Sequence, residues 1–174
     1  MTETREKIAA GLERAFAAHG FAEPSVDDLR DSAGVSLRTL YKYMPSRGDM
    51  VIAALEHRHQ RYLSHVLDGL PGDPQAARST LIDRVAEWMR HEAAHGCLFH
   101  SAVAADPGNP ALRALLERHK QEVADRAGVL TQLAGQQVAL LLILEGLTQS
   151  WPLYGDQAVT AAKGLISMLA TENP

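Results

Sequence analysis

Residues 25–49 read SVDDLRDSAGVSLRTLYKYMPSRGD, and three helix starts follow one another within them. Ser25 is followed three residues later by Asp28, a capping pair in which the hydroxyl serves the helix backbone and the acid reaches back to the cap. This predicts a short helix that closes at Gly34, because glycine takes the left-handed backbone of a helix end at little cost. Ser36 opens a second helix over SLRTLYKYM, and Pro45 stops it. Ser46 and Asp49 then repeat the capping pair ahead of a long helix running to about Leu70.

Two short helices joined by a tight turn at Gly34 have the geometry of a helix-turn-helix, whose second helix enters the DNA major groove with its N-terminal side chains on base edges. Composition agrees with geometry. Residues 36–47 hold Arg38, Lys42, Arg47, Tyr41, Tyr43 and Thr39 and no acid, whereas Asp27, Asp28 and Asp31 lie upstream on the first helix. Tyrosine and threonine hydroxyls donate to phosphate oxygens, a guanidinium bonds guanine O6 and N7 together, and a helix N-terminus offers N–H groups to a phosphate. The plain alternative is a helical hairpin with a solvated basic face.

Upstream, Ile8, Leu12, Ala15, Phe16 and His19 recur at helical spacing and end at Gly20, which makes residues 3–19 one amphipathic helix. Downstream, PGDP at 71–74 and DPGNP at 106–110 punctuate longer helical segments. Leu81, Val85 and Trp88 mark the segment between them; Leu112, Leu115, Leu116, His119, Val123 and Ala127 mark the next. Residues 136–150, QQVALLLILEGLTQS, are apolar nearly all round, the mark of a helix covered on more than one side. The last helix, about 156–170, carries Ala158, Ala161, Ala162, Leu165 and Leu169 on one stripe. A chain of 174 residues has little material to cover both, so they read as a dimer interface.

The rest of the composition sets bounds. A 46% hydrophobic content suits a globular chain with one good core or two small ones. Helix formers dominate and no alternating strand pattern occurs, so the fold class is all-α. The net charge of −4 argues against broad adhesion to nucleic acid and leaves room for a local cationic patch. The longest apolar run, VALLLILEGL, is too short to cross a membrane, and MTETREKIAAGLERAF has no signal-peptide core. A cytoplasmic protein without a membrane partner is expected. Cys97 is the only cysteine, which excludes an internal disulfide and a cysteine-based zinc site. Its neighbours Leu98 and Phe99 favour packing over redox chemistry.

One run points elsewhere. HEAAH at 91–95 is the helical pattern that sets two imidazoles over one zinc ion with a carboxylate beside it. On a helix continuing the stripe of Leu81, Ile82, Val85, Trp88 and Met89, Glu92 falls near the stripe's centre, and His91 and His95 fall toward the rim. The extended pattern also fails, with Leu98 and Ser101 where glycine and histidine belong. Solvated or packing histidines are therefore the reading. A regulatory metal site of His91, His95 and His100 stands as the alternative, ahead of a zinc hydrolase, and no cofactor is expected.

SVDDLRDSAGVSLRTLYKYMPSRGDMVIAALEHR, with the preceding IAAGLERAFAAHGF, closely resembles the DNA-binding domain of the tetracycline-repressor (TetR) family of bacterial transcription regulators. AGVS, TLYKY and PSR carry the match, which covers residues 8–58; beyond it only the helical layout and GCLF are similar. The resemblance implies a homodimer with three N-terminal DNA-binding helices, an effector pocket among later helices, and a dimer interface made by the last two. It implies Ser36 as N-cap of the recognition helix, Leu37, Arg38 and Thr39 on base edges or the groove edge, and Tyr41 and Lys42 at the groove. Tyr43 would face a phosphate, Ser25 would cap the preceding helix near the DNA backbone, and Arg47 stands where the family usually has a phosphate-binding lysine. Met44 in place of the commoner phenylalanine, and RGD in place of KEE, depart from the pattern.

The reading is a DNA-binding domain over residues 1–46 and an effector-binding and dimerisation domain over 47–174. Tyr62, Trp88, Met89, Phe99, His119 and Trp151 are the candidate effector contacts, with plain core as their bland alternative; Glu145 reads as structural. The expected protein is a repressor without enzymatic activity. Its partners are a pseudo-palindromic double-stranded operator, a second copy of itself and a small-molecule effector of unknown identity.

Overall fold

The computed structural model describes residues 3–93 and 96–171. Among the described residues there are nine helices and no strand: α1 (Glu3–His19), α2 (Val26–Ala33), α3 (Leu37–Tyr43), α4 (Arg47–Leu67), α5 (Pro74–Glu92), α6 (Leu98–Ala105), α7 (Pro110–Leu130), α8 (Gln137–Tyr154) and α9 (Asp156–Thr171). The all-α expectation holds. By packing, the chain divides into two units: residues up to Arg61 with Leu98–Glu117, and Tyr62–Cys97 with the residues from Arg118 on.

In the first unit α1 buries Ile8, Leu12 and Phe16 completely and lies against α2. The approach is closest at Gly11, where a Cβ would stand 2.4 Å from the Ser32 carbonyl oxygen and 2.5 Å from the Ala33 Cα. Only a residue without a side chain fits there. Two cations of α1 then close the C-terminal end of α2, Lys7 Nζ donating to the Gly34 carbonyl and Arg14 Nη2 to the Ser32 carbonyl, each at 3.2 Å. These carbonyls lack helical partners, so the donors satisfy acceptors the helix leaves open.

Glu13 on α1 is buried, and three side chains of α4 converge on it. Arg58 Nη1 donates at 3.0 Å and Arg61 Nη1 at 2.7 Å to Oε1, while His57 Nδ1 meets Oε2. A carboxylate taken out of water is tolerable only with such partners. The cluster fastens α4 to α1, the helix that backs α2.

The core of the second unit draws Leu63, Leu81, Val85, Leu140, Leu144 and Ile166 together from α4, α5, α8 and α9. Asp73 caps α5 by accepting from the Ala76 N–H at 2.7 Å, with Pro74 in its first turn, where the missing N–H costs nothing.

Three boundaries differ from the sequence reading. The long fourth helix ends at Leu67, shortly before Gly69 at φ +66°. The helical segment expected between the two proline-rich turns is two helices, because the chain leaves α5 at Glu92 and passes Gly96 at φ +96° before α6 begins. And α8 continues four residues past Ser150, taking Pro152 into its last turn.

Candidate nucleic-acid interface

The turn that presents α3 is built from local chemistry. Ser25 accepts from the Asp28 N–H at 3.2 Å, and the Asp28 carboxylate takes both the Ser25 N–H, at 2.8 Å, and its hydroxyl, at 2.6 Å. The Ser25 hydroxyl, and after it the backbone N–H, hold the Asp28 carboxyl below its ordinary pKa by stabilising the charged form. Gly34 closes α2 at φ +63°, its N–H returning to Arg30 and Asp31 carbonyls. Two residues later Ser36 caps α3, accepting from the Thr39 N–H at 3.1 Å and pairing with the Thr39 hydroxyl at 2.8 Å. Ser46 and Asp49 form the same reciprocal box at the start of α4.

These caps fix which face of α3 turns outward. Leu40 is fully buried and Met44 nearly so. Leu37, Arg38, Tyr41 and Lys42 are exposed, as are Ser25 and Ser36, while Thr39 and Tyr43 are half-buried. Lys42 lies 5.6 Å from the centre of the Tyr43 ring. The exposed surface of α3 therefore carries two cations, a phenol and an aliphatic side chain, without an acid.

Arg47 stands apart from the other sequence candidates. The expectation is a side chain whose purpose is a phosphate, yet its Nη2 donates to the Phe21 carbonyl at 2.8 Å and its guanidinium sits 5.8 Å from the Phe16 ring centre. It packs the first unit together.

Five of the six candidate effector residues lie in the second unit. In the second unit Trp88 and Met89 are buried with Ala93, and Tyr62 and Trp151 pack on them. Tyr62 meets Trp88 edge-on with ring centres 5.2 Å apart, and the buried His119 at 5.4 Å. The Arg90 guanidinium lies 5.1 Å from the Trp151 ring centre. Phe99 is buried in the first unit, on α6.

The HEAAH run does not continue one helix, because α5 stops at Glu92. His91 and His100 are exposed and Glu92 half-buried; His95 lies outside the described residues. Among the described residues no group of three or more histidines, cysteines and acids is placed to hold a metal ion. Glu145, read as structural, accepts from Lys120 Nζ at 2.6 Å. The same ammonium lies 3.4 Å from Cys97 Sγ, a cation that the apolar sequence neighbours of Cys97 gave no sign of.

On α9 part of the stripe expected at a dimer interface belongs to the protomer's own core, where Ala158 and Ala162 are buried and Leu169 packs against the same cluster. Val138, Leu142 and Leu153 on α8, and Leu165 and Met168 on α9, are more than half exposed. Leu142 and Leu165 line a groove that also takes in the small residues Gly146, Ala158, Ala161 and Ala162. No helix of the described residues is long and apolar enough to cross a membrane.

Helical architecture, reciprocal caps and an acid-free outward helix define an all-helical protein with an N-terminal helix-turn-helix. Residues 8–54 match the family described as bacterial regulatory proteins, tetR family. The transcriptional regulator EthR of Mycolicibacterium smegmatis is 34% identical over 73 residues, 40% of this chain and 34% of that one. The chain thus matches this curated relative over about a third of the relative's length. A TetR-family transcriptional regulator from Streptomyces coelicolor has the same fold at a TM-score of 0.80 and 20% identity, over 99% of this chain and 96% of that one. The multidrug binding protein EbrR, solved with imidazole, superposes at 0.74 with 20% identity, over 97% of this chain and 90% of that one.

Proposed function

We propose that the chain is a sequence-specific DNA-binding transcriptional regulator, a repressor that a small molecule releases from a pseudo-palindromic operator. The observation that carries this is the outward face of α3, with Arg38 exposed at its capped N-terminal turn while Leu40 anchors the opposite side. Arg38 is the base reader, donating to guanine O6 and N7. Ser25, Tyr43 and the free edge of Arg47 serve phosphates, Ser36 caps the recognition helix, Leu37 and Thr39 face base edges or the groove edge, and Tyr41 and Lys42 line the groove. Functionally residues 1–46 are the reading head and 47–174 the effector and dimerisation domain. No reaction is proposed for it, and its place is the cytoplasm.

A second copy is the partner of α8 and α9. Their exposed aliphatic side chains recur at helical spacing, with Leu142 and Leu165 lining a small-residue groove, and such a face in water is stabilised by burial against an equal one. A two-fold pair sets two recognition helices about 34–36 Å apart, one turn of DNA. The set of Tyr62, Trp88, Met89, His119 and Trp151 in the second unit is the effector-responsive region, suited to a small apolar compound. A ligand there acts only by favouring one dimer spacing over the other.

Selection of duplexes from a random pool tests the proposal. Enrichment of a pseudo-palindrome bound by a dimer is the expected result; a pool that stays random overturns it.

A further inference from the structure

In the first unit, among the described residues, Leu37 and Tyr41 are the only large apolar or aromatic side chains that are exposed, at 40% and 42%. They lie four residues apart, so they form one ridge along α3, with Arg38 and Lys42 on the next ridge round the helix. A single exposed leucine on a surface needs no explanation. This one occupies the first helical position after the Ser36 cap, where a recognition helix meets base edges.

At that position leucine brings no donor or acceptor. It gains nothing from a phosphate and displaces water from the polar base edges it covers, a net cost unless it finds an apolar group. The major groove displays one, the C5-methyl of thymine. Resting on the DNA-binding function proposed above, we infer that Leu37, backed by the Tyr41 ring, reads a thymine methyl in each half-site, beside the guanine that Arg38 reads. The operator half-site then contains at least one thymine whose methyl, and not merely its base pairing, is recognised.

The test changes the DNA first, so that it does not depend on a variant folding. In a duplex selected from a random pool, each thymine of one half-site is replaced in turn by deoxyuridine, which removes only the methyl, and affinity is measured by fluorescence anisotropy. Burial of one such group predicts about a fourfold loss at one position. The same scan with Leu37→Ser, at a site exposed in the fold, is expected to show that sensitivity abolished and the other positions unchanged. A wild type that binds its selected duplex yet is indifferent to every thymine methyl overturns this inference alone, as does a sensitivity that survives in Leu37→Ser. Failure of the wild type to select any duplex overturns the DNA-binding function and this inference together.

Discussion

Glu13 on α1 and Arg58 on α4 form an ion pair of 3.0 Å with both side chains inside the protein, 2% and 4% exposed. Arg61 and His57 complete the ring of donors around the same carboxylate. Removing the acid leaves the Arg58 guanidinium buried without its carboxylate. Glu13→Ala is therefore expected to lower unfolding stability by about 3–5 kcal/mol, read from denaturant midpoints at equal protein concentration. A loss below about 1 kcal/mol would show that the cluster is dispensable.

Gly11 and Gly48 predict opposite signs for one substitution. Gly11→Ala drives a methyl into the α2 backbone and is expected to destabilise the first unit by about 1–3 kcal/mol or more. Gly48, in the first turn of α4, would place a Cβ no nearer than 3.6 Å to Ser46 Oγ, so Gly48→Ala is expected to gain up to about 1 kcal/mol. Thermal unfolding of the two variants side by side distinguishes them.

Asp28 predicts a pH dependence. Hydrogen bonds from Ser25 lower its pKa in the folded protein below the ordinary 3.8. For an acid so shifted, the contribution to stability is complete above the ordinary pKa and is lost as pH falls through the folded value. Carboxyl titration by NMR should place the Asp28 midpoint below 3.8 in the wild type and return it toward that value in Ser25→Ala, which should also lose about 1 kcal/mol as an N-cap.

The α8 and α9 face predicts an oligomeric state. Leu142→Asp puts one charge on each side of a two-fold contact, and the dimer dissociation constant is expected to rise at least a hundredfold, about 3 kcal/mol. Sedimentation velocity of wild type and variant reads this directly. A wild type that sediments as a monomer at micromolar concentration would contradict the dimer.

Much of the first unit was legible because its signals are local. Ser25 with Asp28, Gly34, Ser36, and Ser46 with Asp49 act within three or four residues, and each cap or turn lies where the sequence places it. What escaped is long-range. Glu13 sits at the edge of the α1 stripe, about 60° from Phe16 on a helical wheel, where periodicity assigns it to the solvent rim; its partners lie more than forty residues away. Gly11 reads as an ordinary weak spot in a helix, and its need appears only when α2 is laid against it. The HEAAH run reads as solvated or packing histidines, and the helix a zinc pair would need ends at its second residue. Arg47 was legible as a cation but not as one that bonds the Phe21 carbonyl. Arg47→Ala is accordingly expected to lower thermal stability as well as to weaken binding to all duplexes alike.

The central claim is that the outward side of α3 reads bases, and Arg38 tests it most directly. Affinities of the wild type and Arg38→Ala are measured for a selected palindrome and for random duplex at one salt concentration. The expected result is a loss of about 1–3 kcal/mol per guanine contact on the palindrome, with preference relaxed at one base pair per half-site and binding to random duplex nearly unchanged. An equal loss on both duplexes, or none on either, would contradict it.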